Sequence, residues 1–196
     1  MTTSICASAD VAPSARIGPR SRIWHLAQIG DDAVLGADCV VGRGAYIGPG
    51  VHVGDKVKIQ NYALVYAPAR VESGAFIGPA VVFTNDTHPR SVDVDGELKT
   101  GEGWTPVGVV VREGASLGAR AVCVAPVTVG RWAMVGAGAV VVRDVPDFAL
   151  VVGSPARRIG WVGRSGERLE KDGDSVWRCP RTGERFLEEE GRLHEI

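Results

Sequence analysis

From Val11 to Phe83 an apolar residue falls on every sixth position: Val11, Ile17, Ile23, Ile29, Leu35, Val41, Ile47, Val53, Ile59, Val65, Val71, Ile77 and Phe83. Two places before each, from Ile17 onward, stands a smaller residue: Ala15, Ser21, Ala27, Ala33, Cys39, Ala45, Val51, Val57, Ala63, Ala69, Ala75 and Val81. Glycine often follows the large one, as at Gly18, Gly30, Gly36, Gly42, Gly48, Gly54 and Gly78. An amphipathic helix repeats every 3.6 residues and a half-buried strand every 2, so a period of six excludes both. The pattern predicts an all-β fold, a parallel β-helix of hexapeptide repeats whose short strands and tight turns stack around a narrow core.

The register stops at Phe83 and returns, shifted, as Val111, Leu117, Cys123, Val129, Val135 and Val141, with small partners at Ala115, Ala121, Val127, Ala133, Ala139 and Val145. The stretch between, 84–106, has no hexad register and is rich in Asp, Gly and Thr. A loop so long inside a compact repeat predicts a protruding functional or binding arm. Beyond Gly160 the hexads end, and Pro180-Arg-Thr-Gly183 between two apolar runs reads as a hairpin turn. The expected organisation is a β-helix over 1–160, with loop 84–106 inserted, and a small cap over 161–196. The acidic run Glu188–Glu190 is expected to stay solvated.

Charge and composition narrow the function classes. The 196 residues carry 22 Lys+Arg against 23 Asp+Glu, a net charge of -1, which offers no basic stripe for a nucleic-acid backbone. No apolar run is long enough to span a bilayer, and the start lacks the basic and apolar regions of a secretory signal, so a cytoplasmic location is expected. The 26 Gly and 11 Pro fit a chain of many turns. Cys6, Cys39, Cys123 and Cys179 are scattered without a C-x-x-C pair, so neither a disulfide framework nor a zinc site is read from them. Cys39 and Cys123 occupy inward slots and are expected to be inert core residues.

These hexads, the protruding loop and the closing segment Ala149-Leu-Val-Val-Gly-Ser-Pro-Ala-Arg-Arg158 resemble the left-handed β-helix acyltransferases. The segments Ile23-Trp-His-Leu-Ala27, Lys58-Ile-Gln-Asn61 and Phe83-Thr-Asn-Asp-Thr-His-Pro-Arg-Ser91 resemble in particular the nucleotide-linked amino-sugar N-acetyltransferases. The resemblance implies a left-handed helix with 18-residue triangular coils, a homotrimer as working unit, and acetyl-CoA bound as co-substrate between neighbouring subunits. It implies acetyl transfer to a nucleotide-linked amino sugar, most naturally a dTDP- or UDP-linked 3-amino sugar, with no metal. An O-acetyltransferase acting on a sugar hydroxyl, or a scaffold without activity, stands as the alternative. A γ-type carbonic anhydrase on the same fold needs closely spaced zinc histidines, whereas His25 and His52 are 27 residues apart.

With 18 residues per coil, sequence becomes a map of columns. His25, Arg43, Asn61 and Pro79 form one outward column, suited to a diphosphate, base or sugar hydroxyl, or else to subunit contacts or solvent. Gly118-Ala119 and Gly136-Ala137 form another, smooth enough for a pantetheine arm, although glycine after the large hexad residue is also what the turn demands. Ser154, Arg157 and Arg158 lie where the resemblance places the phosphates of CoA, the alternative being that one of the two arginines is a surface residue. The resemblance puts Asn85 in the active site, where its amide would orient the amine or donate to developing charge. His88 is the titratable base of suitable type in the loop, against a surface His. Asp86 and Arg90 are expected to contact ligand or tie the loop together.

Overall fold

The structure, a computed structural model, describes residues 2–101 and 104–196. Its strands are mostly two residues long, because each hexad spends two on a strand and the rest on a turn. They stack into three parallel sheets that form the faces of a left-handed parallel β-helix. Face A carries Ser4–Ile5, Arg22–Ile23, Val40–Val41, Lys58–Ile59, Phe76–Ile77, Ser116–Leu117, Met134–Val135 and Ala149–Val152. Face B carries Asp10–Val11, Gln28–Ile29, Tyr46–Ile47, Leu64–Val65, Val82–Phe83, Val122–Cys123 and Val140–Val141. Face C carries Arg16–Ile17, Val34–Leu35, His52–Val53, Arg70–Val71, Val109–Val111 and Val127–Val129.

The large hexad residues and their small partners point inward as expected. From Ile23 to Val141 both sets are buried in one continuous core, including the lone polar member, Ser21. Ser21 is satisfied there, because its hydroxyl donates to the Gly36 carbonyl at 3.0 Å and accepts the Cys39 amide at 3.0 Å. Similar links recur at the corners, where a side chain of one coil accepts an amide from the neighbouring coil. Asp55 takes the N–H of Ala37, Ser73 that of Asp55, Asn61 that of Arg43 and Asp147 that of Arg131. Corner amides have no strand partner, so these side chains supply the acceptors that the backbone needs.

At many corners the second residue adopts a left-handed conformation, even where it is bulky. Leu26, Tyr62, Arg120, Trp132 and Phe148 all have φ between 55° and 61°. For a bulky residue this costs roughly 1–2 kcal/mol relative to the usual helical basin, so its presence at a corner calls for a packing reason.

The inserted loop leaves the stack in register. Val71 pairs with Val111, 40 residues on rather than 18, so the insertion adds 22 residues and the chain rejoins face C one coil up. The loop is not structureless. Val92 bridges Leu98 in an antiparallel turn, with Asp93 accepting the amides of Asp95 and Glu97.

The last coil folds back as Arg157–Trp161, antiparallel to Ala149–Val152. A four-stranded antiparallel sheet then follows, made of Glu170–Lys171, Val176–Arg178, Arg185–Glu189 and Arg192–Glu195. Pro180–Gly183 forms its predicted turn. Trp161, Leu169, Cys179, Phe186 and Leu193 are buried and continue the helix core, with the rings of Phe148 and Phe186 5.1 Å apart. Glu188 is not the solvated residue expected of an acidic tail. It accepts the indole N–H of Trp177 at 2.7 Å and pairs with Arg158 at 3.1 Å. Its ion-pair partner Arg158 lies 30 residues away and leaves no local mark.

Candidate functional site

The His25–Arg43–Asn61 column and the Ala119–Ala137 column are one and the same edge of the helix, that between faces A and B. Backbone hydrogen bonds run up it without a gap: Gly44 N to His25 O, Tyr62 N to Arg43 O, Ala80 N to Asn61 O, Arg120 N to Pro79 O, and Gly138 N to Ala119 O, all 2.9–3.1 Å except the fourth at 2.8 Å. The candidate substrate residues therefore occupy the lower half of an edge whose upper half holds the candidate cofactor residues. The insertion hid this, because its length must be known before the columns can be continued across it.

In the lower half, His25, Arg43 and Asn61 are exposed. The His25 Nδ1 lies 2.8 Å from the Ser8 hydroxyl, which fixes the ring and leaves Nε2 outward. Asn61 is half committed, since its Oδ1 accepts the Arg43 amide at 2.9 Å. Among the described residues, no carboxylate lies within ion-pair distance of Arg43.

In the upper half, the glycines have a different role from that suggested by a smooth groove. A Cβ on Gly118 would lie 2.4 Å from the Ala137 amide nitrogen, and one on Gly136 would lie 2.8 Å from a Val152 methyl. Both glycines are demanded by the neighbouring coil, so the smoothness of the edge comes from Ala119 and Ala137. The exposed turn Gly153–Ala156 crowns this half, with Gly153 accepting from Val140 N and Ala156 donating to Val140 O. Ser154 and Arg157 are exposed there. Arg157 donates to its neighbour's carbonyl, that of Ala156, at 3.0 Å and pairs with no carboxylate among the described residues. Arg158 is already engaged, stacked 4.1 Å from the Trp161 ring centroid and paired with Glu188. The structure thus separates the two arginines: Arg157 is open to a ligand and Arg158 holds the cap. Arg120, exposed on the same edge, was not singled out from the sequence; its column with Leu26 and Tyr62 was the available signal.

The loop residues sit on a different edge. Asn85 leaves the stack between faces B and C, its Nδ2 donating to the Ala67 carbonyl at 2.9 Å and its carbonyl accepting the returning Val107 amide at 3.1 Å. It closes the loop base like a clasp, with Oδ1 remaining for other partners. Asp86 accepts the His88 amide at 2.7 Å, and the His88 Nδ1 lies 3.0 Å from the Thr87 hydroxyl. Arg90 donates to the Pro89 carbonyl at 2.8 Å. Asp86 and Arg90 do not pair with each other; each bonds to backbone within its own stretch of the loop. Within one chain, face B separates Asn85 and His88 from the A/B edge.

The thiols behave as core. Burial pushes the Cys123 thiol up to about 12 and raises that of Cys39. A small cleft of about 250 Å³, lined by Cys6, Arg22 and Trp24, lies at the foot of the edge; two others lie away from it. One of about 450 Å³ lies between the last coils and the cap, beside Arg112, Asp144 and His194, and one of about 590 Å³ lies on face C around His52 and Arg70. The A/B edge is a ridge, and ligand sites are concave.

A family profile described as the hexapeptide repeat of succinyl-transferase matches residues 27–67 and 108–143, the two hexad blocks on either side of the loop. The chain is 42% identical over 88 residues to dTDP-3-amino-3,6-dideoxy-alpha-D-galactopyranose 3-N-acetyltransferase of Aneurinibacillus thermoaerophilus, covering 44% of each chain. It is 37% identical over 89 residues to serine acetyltransferase of Escherichia coli, covering 45% of this chain and 32% of the relative. The chain thus spans less than half the length of these curated relatives. Among solved structures, a mutant GDP-perosamine N-acetyltransferase from Caulobacter crescentus in complex with CoA and GDP-perosamine superposes with a TM-score of 0.53 at 29% identity, over 82% of this chain and 57% of that one.

Proposed function

We propose that the chain is an acyltransferase of the left-handed β-helix (hexapeptide-repeat) family that acetylates a nucleotide-linked amino sugar on nitrogen, with acetyl-CoA as donor. The observation that carries the reading is the single A/B edge, smooth at Ala119 and Ala137 and polar at His25, Arg43 and Asn61, so that donor and acceptor would meet end to end along it. The Aneurinibacillus thermoaerophilus relative is named for a dTDP-linked 3-amino sugar, which favours a dTDP- or UDP-linked 3-amino sugar here.

The reading takes the working unit as a homotrimer. A ridge becomes a cleft only when a second surface faces it, and Asn85 reaches an A/B edge only from another copy. The outward side of face B supports such contact, presenting Tyr46, Leu64, Val82, Val122 and Val140 in one stripe. A subunit seated there would bring its loop over its neighbour's edge.

In the reaction a neutral amine attacks the thioester carbon, the new C–N bond replaces C–S, and the amine proton ends on the departing CoA sulfur. The donor supplies the activated acetyl group. Arg157 and Ser154 hold its phosphates, since a guanidinium fork suits phosphate oxygens. Asn85 holds the amine or donates to the carbonyl oxygen as charge develops, which a neutral amide can do and a general base at neutral pH cannot. With its Nδ1–H donating to the Thr87 hydroxyl, His88 would have Nε2 free to take the amine proton and pass it to the departing sulfur.

The test is CoA thiol release by the purified protein across dTDP- and UDP-linked 3-amino and 4-amino sugars beside their hydroxyl counterparts. Release with an amine alone is the expected result. Release with the hydroxyl compounds alone would transfer the assignment to O-acetylation, the reaction class of the serine acetyltransferase relatives. No release with CoA binding absent would leave a scaffold.

A further inference from the structure

Bulky left-handed corner residues occur in two places, and in one of them their packing reason is visible. On the edge between faces C and A, Trp132 is half-buried and Phe148 is buried against the cap. On the A/B edge, Leu26 and Tyr62 adopt the same conformation and are 54% and 56% exposed. Among the described residues nothing covers them.

Tyr62 is nevertheless held in place. Its ring lies on the Cα of Gly44 one coil below, so closely that a Cβ there would stand 2.6 Å from the ring's Cε1 and 2.7 Å from its Cδ1. The result is a fixed aromatic platform with an open outer face. Around it are exposed cations that register places together. Arg43 occupies the corner one coil below Tyr62, and Arg22 and Lys58 point outward from face A, each one strand from Val40. Among the described residues none of the three pairs with a carboxylate, although six other arginines do. An apolar protein surface would cover the ring but leave these charges unmatched. A ligand with a flat ring and adjacent anionic groups matches both.

We infer that the lower A/B edge is a nucleoside-diphosphate subsite, with the base stacked on Tyr62 and the diphosphate held by Arg43, Lys58 and Arg22. Stacking on a preformed ring is tolerant of base identity, so this subsite would set the class of carrier, a nucleoside diphosphate, more than the choice between thymine and uracil. The inference rests on the nucleotide-sugar reading above. The same chemistry occurs in the adenosine diphosphate portion of CoA, and we assign the subsite to the acceptor because the smooth half with Arg157 lies at the other end of the edge.

Binding of dTDP, UDP and CoA to the full chain, each alone, separates the possibilities. For Tyr62→Ala and for Gly44→Ala the Kd of both dTDP and UDP should rise about tenfold or more, within the range of aromatic stacking losses. Tyr62→Phe should stay within about threefold of the parent, since stacking needs the ring and not its hydroxyl. The double variant R43A/K58A should weaken both nucleotides and flatten the salt dependence of their binding. CoA affinity should stay within about twofold throughout. Loss of CoA binding with nucleotide binding intact would overturn the assignment, moving the donor to this end. Unchanged dTDP and UDP affinity in every variant, in a protein that still acetylates an amine, would overturn the subsite while the proposed function stood. A Tyr62→Ala protein that changes its oligomeric mass by sedimentation but not its nucleotide affinity would overturn it in favour of a second copy as the cover. A parent protein that binds CoA but neither nucleotide would remove both the subsite and the nucleotide-linked acceptor.

Discussion

Within the β-helix, strand pairs join residues 18 apart in parallel, 40 apart where the loop intervenes and 16 apart in the last coil, and the inward side chains vary chiefly in size. In the cap, four antiparallel strands surround a few individual contacts: Trp177 and Arg158 on Glu188, Arg158 on Trp161, Phe148 on Phe186. The first region depends on a uniform spacing between backbones. The second depends on particular partners. A defect in the helix is therefore felt through sterics, at almost any coil, while a defect in the cap is felt through chemistry and at few residues.

The contrast is tested most severely by two glycines of the same edge. In Gly118→Ala the new methyl meets the Ala137 backbone, which cannot move without opening the coil, so thermal unfolding should show a loss of about 3 kcal/mol. Gly138→Ala meets nothing within 4 Å at φ 71° and should lose only about 1 kcal/mol, the conformational term alone. Equal losses would mean that coil spacing is not the controlling quantity.

The loop takes its anchors from the helix and makes its own turn, so a substitution at its base should affect rate more than folding. Asn85→Ala is expected to lower kcat about 100-fold, the scale of a lost transition-state donor, with KM for acetyl-CoA changed less than about threefold. An unchanged kcat would confine Asn85 to its bond with Ala67.

In the cap, burial alone would raise the Glu188 carboxyl, but the Trp177 indole N–H and the Arg158 guanidinium outweigh it and hold the group below the usual glutamate range. A carboxylate depressed in the folded state binds fewer protons than it does unfolded, so its stabilisation is full above the ordinary glutamate value and is lost as pH falls through that value to the depressed one. Stability of the parent protein should therefore decline as pH falls through and below the ordinary glutamate value of about 4.3 more steeply than that of Glu188→Gln, read from tryptophan fluorescence. Parallel curves would show that the carboxylate's charge does not matter. The smallest effect belongs to Arg131→Ala, which removes an exposed 3.6 Å pair with Glu113 and should cost about 0.5 kcal/mol or less. A larger loss in equilibrium unfolding would mean that surface pairs along the helix act as a network.

What could be read from the sequence follows the same division. The hexads are a local signal, so the inward residues from Ile23 to Val141, the turn at Pro180–Gly183 and the inert Cys39 and Cys123 could all be assigned before any coordinates. The union of the two candidate columns was hidden because it depends on the length of the insertion in coils, which only the Val71–Val111 pairing fixes. Glu188 was misread because its partners Arg158 and Trp177 lie 30 and 11 residues away with no period linking them. Asn61 looked free because the acceptor role of corner side chains is a property of stacking, invisible until coils are superposed.

The insertion rejoins the stack on the same face and column it would have reached without it, and its base is closed by bonds to Ala67, Ala125 and Val107. The segment is therefore a cassette: its length and composition can vary while the coils above and below keep their register. Because lengthening a flexible loop adds little closure entropy, about 0.6 kcal/mol per doubling, exchange of residues 86–106 between chains of this architecture would transplant what the loop contacts while leaving the frame that carries it unchanged.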